Sequence, residues 1–205
     1  MTKFFKSAEW DDYWGSSKRK MKGFNRVIDH FRTYFGNQYV RTLKKICSGS
    51  IGKILEVGCG TAYCSQQLSR VASGSYALDY SEKAKIFWVD NSVNYLIADG
   101  LSIPFMSNTF DVVWNAGVLE HFSNPRDMLK EMIRVCKPGG FVCVFVPYIF
   151  DFTAHLKLYG NENIFTRKKL KEALEDLQNI KVNVLYSLGA MIVCGFGKKR
   201  MDTEL

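Results

Sequence analysis

The chain has 205 residues, 47% of them hydrophobic, enough to bury one sizeable core and too apolar for a disordered segment. No apolar run approaches the ~20 residues of a membrane span, and Met1–Lys6 is too short and too broken by charge for a signal peptide, so a cytoplasmic protein is expected. The net charge of +8 gathers in Lys18–Lys22, Arg167–Lys171 and Lys198–Arg200. Such runs can draw nucleic acid, but no nucleic-acid module accompanies them and solvated faces are the expectation.

Residues 1–50 read as an aromatic-rich helical cap: ten of the first forty are Phe, Tyr or Trp. Val27, Ile28, Phe31, Tyr34, Phe35, Tyr39 and Leu43 recur at helical spacing, and Ser48-Gly49-Ser50 ends the pattern. From there to about residue 200 a single domain alternates strands and helices. Lys53–Val57 predicts the first strand and Ala62–Ala72 a helix leaving through Ser73-Gly74-Ser75. Tyr76–Asp79 predicts the second strand, Ser81 the start of a helix, Asn94–Ala98 the third strand and Phe110–Asn115 the fourth. Asn124 as cap, Pro125 at the first position and Asp127 in the first turn predict a helix that Pro138-Gly139-Gly140 stops. Phe141–Val146 is a near-continuous apolar strand, suited to a parallel sheet buried on both faces. Thr166 caps a last helix, and Ile180–Ser187 and Ala190–Phe196 form two strands whose tight connection makes them antiparallel. This order predicts an α/β, doubly wound, mostly parallel sheet with helices on both faces.

The most informative stretch is Ile54-Leu55-Glu56-Val57-Gly58-Cys59-Gly60-Thr61-Ala62, a buried strand opening through glycines into a helix. Glycines let backbone approach a ligand, and the first amides of the helix can face an anionic group. With Asp79, Asp99 and Gly117-Val118-Leu119-Glu120-His121 downstream, the pattern resembles the class I S-adenosylmethionine-dependent methyltransferases, in the broad type that includes quinone-biosynthesis enzymes. The resemblance covers roughly residues 50–147 by motif and 160–197 by pattern. It implies seven strands in the order 3-2-1-4-5-7-6, the last antiparallel, with S-adenosylmethionine at the carboxyl ends of the strands.

On that resemblance Gly58, Cys59 and Gly60 face the cofactor's amino-acid and ribose parts. Glu56 lies beneath the turn and accepts from the loop or, through water, from the cofactor's ammonium. Asp79, with Tyr80 beside it, accepts the ribose hydroxyls; a turn or helix-cap role is the plain alternative. Asp99, with Gly100, accepts from the adenine amine while apolar neighbours near Ile103 and Phe105 sandwich the ring; a loop-capping aspartate is the alternative. The backbone of Asn115 and Ala116 accepts from the ammonium. Tyr13, beside Trp14, either closes over the cofactor or packs the N-terminal helix on the sheet. His121 is the candidate base for an acceptor that arrives protonated, or else an orienting residue; Glu120 is structural. Ala62 stands where this family has a third glycine, harmless at negative φ but strained at positive φ, which would weigh against the cofactor reading.

The expected function is methyl transfer to a small-molecule acceptor. A nicotinamide dehydrogenase needs a last glycine that Gly58–Tyr63 lacks, and a nucleic-acid methyltransferase usually shows an acceptor motif such as Asn-Pro-Pro-Tyr. A non-catalytic partner that keeps the fold has no physical need for carboxylates at 56, 79 and 99. The aromatic stretch Tyr148–Phe165 suits a planar or lipid-like acceptor. Six cysteines without a Cys-x-x-Cys pair imply a reduced compartment and no metal site.

Overall fold

A computed structural model describes residues 10–12, 24–48, 51–87, 91–148, 165–187 and 190–201. Its strands are β1 (Ile51–Val57), β2 (Ala72–Asp79), β3 (Val93–Ile97), β4 (Phe110–Ala116), β5 (Cys136–Tyr148), β6 (Gln178–Ser187) and β7 (Ala190–Lys198). They form one seven-stranded sheet in the order β3-β2-β1-β4-β5-β7-β6. β1 to β5 run parallel, and β7 lies antiparallel between β5 and β6. The doubly wound architecture expected from the sequence is therefore present. The order reverses at β1, whose carboxyl end opens the crevice in which such sheets bind ligands.

Strand periodicity decides which helix each residue meets. Leu55, Val57, Val113, Val142, Val144 and Val193 point to one face, under helices α3 (Pro125–Val135) and α4 (Arg167–Ala173). Ile54, Val112, Trp114, Cys143, Phe145 and Cys194 point to the other, under α1 (Phe24–Cys47). The same alternation turns Glu56 toward the short helix α2 (Tyr63–Leu68).

Several boundaries differ from the sequence reading, each for a tertiary reason. α2 ends at Leu68, and Ala72–Ser75 belong to β2 because Ala72 pairs with Ile51 and Gly74 with Lys53. Strand pairing here overrides the local turn signal of Ser73-Gly74-Ser75. Where a helix was expected after Ser81 there is a 3-10 turn, Glu82–Phe87. β5 begins at Cys136, so Pro138-Gly139-Gly140 lies in a bulge: Phe110 pairs with Cys136 but Val112 with Phe141. α3 stops before Lys137, the residue that precedes proline. Thr166 caps α4, its Oγ1 accepting from the Lys169 amide at 3.2 Å. Asn124 occupies the cap position of α3 without capping it; its side chain donates to Asp127 instead, at 2.9 Å.

The loop after β3 is pinned to α3 by one ion pair. Arg134 donates to the carbonyls of Ile103 and Phe105, both at 2.8 Å, while Glu131 accepts from Arg134 and from the Ile103 amide. Arg134→Ala is expected to lower stability by about 1–2 kcal/mol, the worth of charge-assisted bonds in a partly exposed setting. Denaturant unfolding with an unchanged slope checks this.

Candidate functional site

The residues singled out from the sequence converge at the carboxyl ends of β1 to β4. After Val57 the chain turns through Gly58 at φ 76°, where the amides of Gly58 and Cys59 both donate to the Leu78 carbonyl, at 2.8 and 2.9 Å. A Cβ on Gly58 would stand 2.5 Å from the Val118 side chain. The loop is thus a backbone cradle closed against the segment after β4, and only glycine fits it. Gly60, at φ 49°, donates its amide to Asp79 Oδ2 at 2.7 Å.

Ala62 departs from the benign case. Its φ is 55° and ψ 21°, left-handed, at a strain of roughly 1–2 kcal/mol for a non-glycine residue. Its methyl group is fully buried with Cys59, Ala77 and Val93, which contributes about 1 kcal/mol in return. The strain is therefore largely offset locally, and the amides of Gly58, Cys59 and Gly60 keep their partners.

Ala62 cannot cap α2, and no side chain caps it at that position. Glu56 supplies the acceptor from the neighbouring strand: its Oε2 takes the Ser65 amide at 3.0 Å and the Ser65 hydroxyl at 2.5 Å. Ser65, a partner not foreseen from the sequence, is in turn fixed by Ser75, which donates to its carbonyl at 3.0 Å. Burial pushes the Glu56 carboxyl up to about 8, against the lowering effect of the Ser65 bonds; the nearby Asp79 charge adds to the rise. Asp79 is 8% exposed; its Oδ1 accepts from the Ser81 amide at 2.9 Å. Burial raises its carboxyl too, while the Ser81 and Gly60 amides lower it. Neither carboxylate forms an ion pair with a described lysine, arginine or histidine. Two buried acids beside a glycine cradle form an acceptor set suited to a cationic ligand that carries hydroxyls.

The remaining positions divide. Asp99 Oδ1 accepts from the Leu101 amide at 2.9 Å, the loop-capping arrangement. Gly100 packs under Val57 and Met128. Ile103 is 3% exposed in the core, and Phe105 stacks edge-on against Tyr76 and Phe110. Ile103 is thus spent on packing, while Phe105 is only partly buried. The Cys59 thiol is buried, so only its backbone faces the cradle, whereas Tyr80 is 38% exposed. Asn115 turns its fully buried side chain toward the methionine sulfurs of α3, at 3.3 Å from Met132, which leaves its backbone and that of Ala116 at the strand end. Tyr13 and residues 149–164 lie outside the described residues.

His121 ends a short 3-10 turn, Leu119–His121, with its amide on the Val118 carbonyl at 3.1 Å. The Trp10 ring meets it edge-on at 4.9 Å. Burial pushes the imidazole down to about 4, and a hydrogen bond with the Gly117 backbone raises it only partly. It is neutral at physiological pH.

These two shifts predict the pH profile of the unliganded protein. Glu56 ordinarily titrates at 4.5 but near 8 when folded, so the folded state holds an extra proton and stability falls as pH rises through that window. His121 moves from 6.5 down to about 4, so the unfolded chain holds the extra proton and stability falls as pH drops from 6.5 to 4. The slopes oppose between pH 4.5 and 6.5. Asp79, also raised by burial, adds to the Glu56 slope, so the melting temperature is expected to decline toward pH 8, and Glu56→Gln is expected to reduce that decline.

A surface recess at the opposite end of the sheet, lined by Cys47, Gly52, Asp111, Lys137 and Gly140, is remote from these groups. Its lysine and aspartate are paired to each other at 2.8 Å. No cluster of metal-ligating side chains occurs among the described residues, and no described helix is long and apolar enough to cross a membrane.

Residues 55–144 match the family model described as a methyltransferase domain. A demethylmenaquinone methyltransferase of Corynebacterium glutamicum is 35% identical over 92 residues, 45% of this chain and 40% of the relative. A malonyl-[acyl-carrier protein] O-methyltransferase of Buchnera aphidicola is 32% identical over 108 residues, 52% of this chain and 41% of the relative. The match thus spans less than half the length of these relatives. The fold extends further: a Haloferax volcanii methyltransferase solved in complex with a methyltransferase activator superposes with a TM-score of 0.74, over 97% of this chain and 99% of that one, at 15% identity. Residues 55–144 of this chain are thus similar to the methyltransferase domain family, and the seven-stranded sheet in the order β3-β2-β1-β4-β5-β7-β6 has the fold of that solved methyltransferase complex.

Proposed function

We propose that this chain is an S-adenosylmethionine-dependent methyltransferase acting on a small-molecule acceptor by direct in-line transfer. The observation that carries the reading is the junction of cradle and acids: the Gly60 amide on Asp79 at 2.7 Å and Glu56 buried alongside, with no described cation paired to either. Asp79 binds the ribose hydroxyls through its remaining lone pairs, and Glu56 answers the cofactor's ammonium through water. The backbone of Gly58–Gly60 and of Asn115–Ala116 lines the amino-acid part, with Tyr80, Asp99 and Gly100 at the adenosine end.

Bound there, S-adenosylmethionine supplies an electrophilic methyl on a sulfonium. The protein's part is to align the acceptor and exclude water. His121 stays unprotonated through neutral pH and accepts a hydrogen bond, or the proton, from an acidic acceptor. The relatives' names point to quinone-like or acidic small molecules, and the aromatic stretch Tyr148–Phe165 suits a planar ring. No observation favours nucleic acid or a purely structural role.

The test supplies labelled S-adenosylmethionine with reduced demethylated naphthoquinones and with acidic thioester or carboxylate acceptors. Labelled product from one class supports the reading. His121→Ala is expected to lower kcat by roughly 10²-fold or more, the loss typical of a general base. No product from any class would contradict it.

A further inference from the structure

Contacts on both sides fasten residues 10–12, a turn of helix, across the mouth of the crevice. Asp11 Oδ1 accepts the Ser81 hydroxyl at 2.5 Å, with the Lys83 amide at 3.5 Å. On the other side Trp10 stands edge-on to His121 at 4.9 Å. Ser81 is fully buried and donates its amide to Asp79 Oδ1 at 2.9 Å, and Asp79 Oδ2 holds the Gly60 amide. A continuous chain of hydrogen bonds therefore runs from Asp11 through Ser81 and Asp79 to the glycine cradle. It joins groups 70 residues apart, so closing it orders a long connection.

Among the described residues no cation pairs with either acid of this hydrogen-bond chain. Asp11 and Asp79 share one serine, and the Asp11 charge raises the Asp79 carboxyl. The Lys83 ammonium lies 4.0 Å from exposed Asp12 instead. Like charges held together in a partly desolvated cleft weaken the link unless a ligand's donors share the load. We propose that Asp11 is a positioning residue: acting through Ser81, it fixes Asp79 and makes the seating of residues 10–12 depend on the ligand in the crevice, so that it sets how long the cofactor stays bound. This rests on the cofactor reading above. Trp10, seated by the same turn, brings its ring over His121, so the element that retains the cofactor also bounds the acceptor side.

The test measures association and dissociation of S-adenosylhomocysteine by stopped-flow fluorescence for wild type, Asp11→Ala, Asp11→Asn, Ser81→Ala and the Asp11→Ala/Ser81→Ala pair. Asp11→Ala is expected to speed dissociation roughly 10-fold or more, the loss of one charge-assisted hydrogen bond, with association changed little. Asp11→Asn, which keeps an accepting oxygen toward Ser81, is expected to restore most of the residence time. The pair is expected to be no worse than the poorer single variant, since both break one link. Dissociation unchanged in Asp11→Ala, or single effects that multiply, would overturn the proposal. Wild type that binds no S-adenosylhomocysteine would instead remove the cofactor reading itself, and this proposal with it.

Discussion

Asp79→Ala is expected to weaken S-adenosylmethionine binding by at least two orders of magnitude, about 3 kcal/mol or more. The carboxylate receives the Gly60 and Ser81 amides, and each such charge-assisted bond is worth about 1.5–3 kcal/mol. Its removal leaves two amides unpaired, releases the cradle and deletes the acceptor proposed for the ribose. Asp79→Asn is expected to be nearly as harmful, because an amide nitrogen must then face one of two N–H donors. Calorimetric affinities with the melting temperature held in view separate loss of ligand contacts from loss of fold. An Asn variant that binds like wild type would mean that the negative charge and the second carboxylate oxygen do not matter.

The largest expected effect on the fold itself comes from Gly58→Ala. The residue is at φ 76°, and its Cβ would lie 2.5 Å from Val118 Cγ2 and 3.0 Å from Cγ1. Left-handed strain of about 1–2 kcal/mol adds to about 1–3 kcal/mol of overpacking, against the ~5–15 kcal/mol that a domain has in total. Denaturant midpoints are expected to fall accordingly. Adding Val118→Ala is expected to recover the packing share but not the strain, leaving a deficit of about 1–2 kcal/mol. Full recovery in the double variant would show that the backbone conformation costs nothing there.

Much of the fold was legible in the sequence because the alternation of apolar positions fixes which face each strand residue takes, and a terminal hairpin fixes the antiparallel β7. The helix expected over Ala62–Ala72 failed at its end because the register between Ile51 and Ala72 is long-range, which no local turn signal encodes. The candidate residues were found by residue type and by position at strand ends, and they do gather at one place. Their partners were harder. Ser65 had one available signal: a helix that opens on alanine needs an acceptor from elsewhere, and Glu56 two residues before the first glycine could supply it. Ile103 and Phe105 read as apolar neighbours of a ring; the hydrogen bonds from Arg134 and to Glu131 that hold their loop against α3 had no such signal. The bond between Asp11 and Ser81 had no sequence signal, since two polar residues 70 positions apart meet only once the sheet is assembled.

The most direct measurement is calorimetric titration of the folded protein with S-adenosylmethionine, run at one pH in two buffers of different ionisation enthalpy. The account predicts micromolar binding with release of a proton near neutral pH, because a cationic ligand draws the buried Glu56 carboxyl down from about 8. The release is expected to vanish in Glu56→Gln. No binding by folded wild-type protein would contradict the central claim that the crevice at the ends of β1 and β2 holds this cofactor.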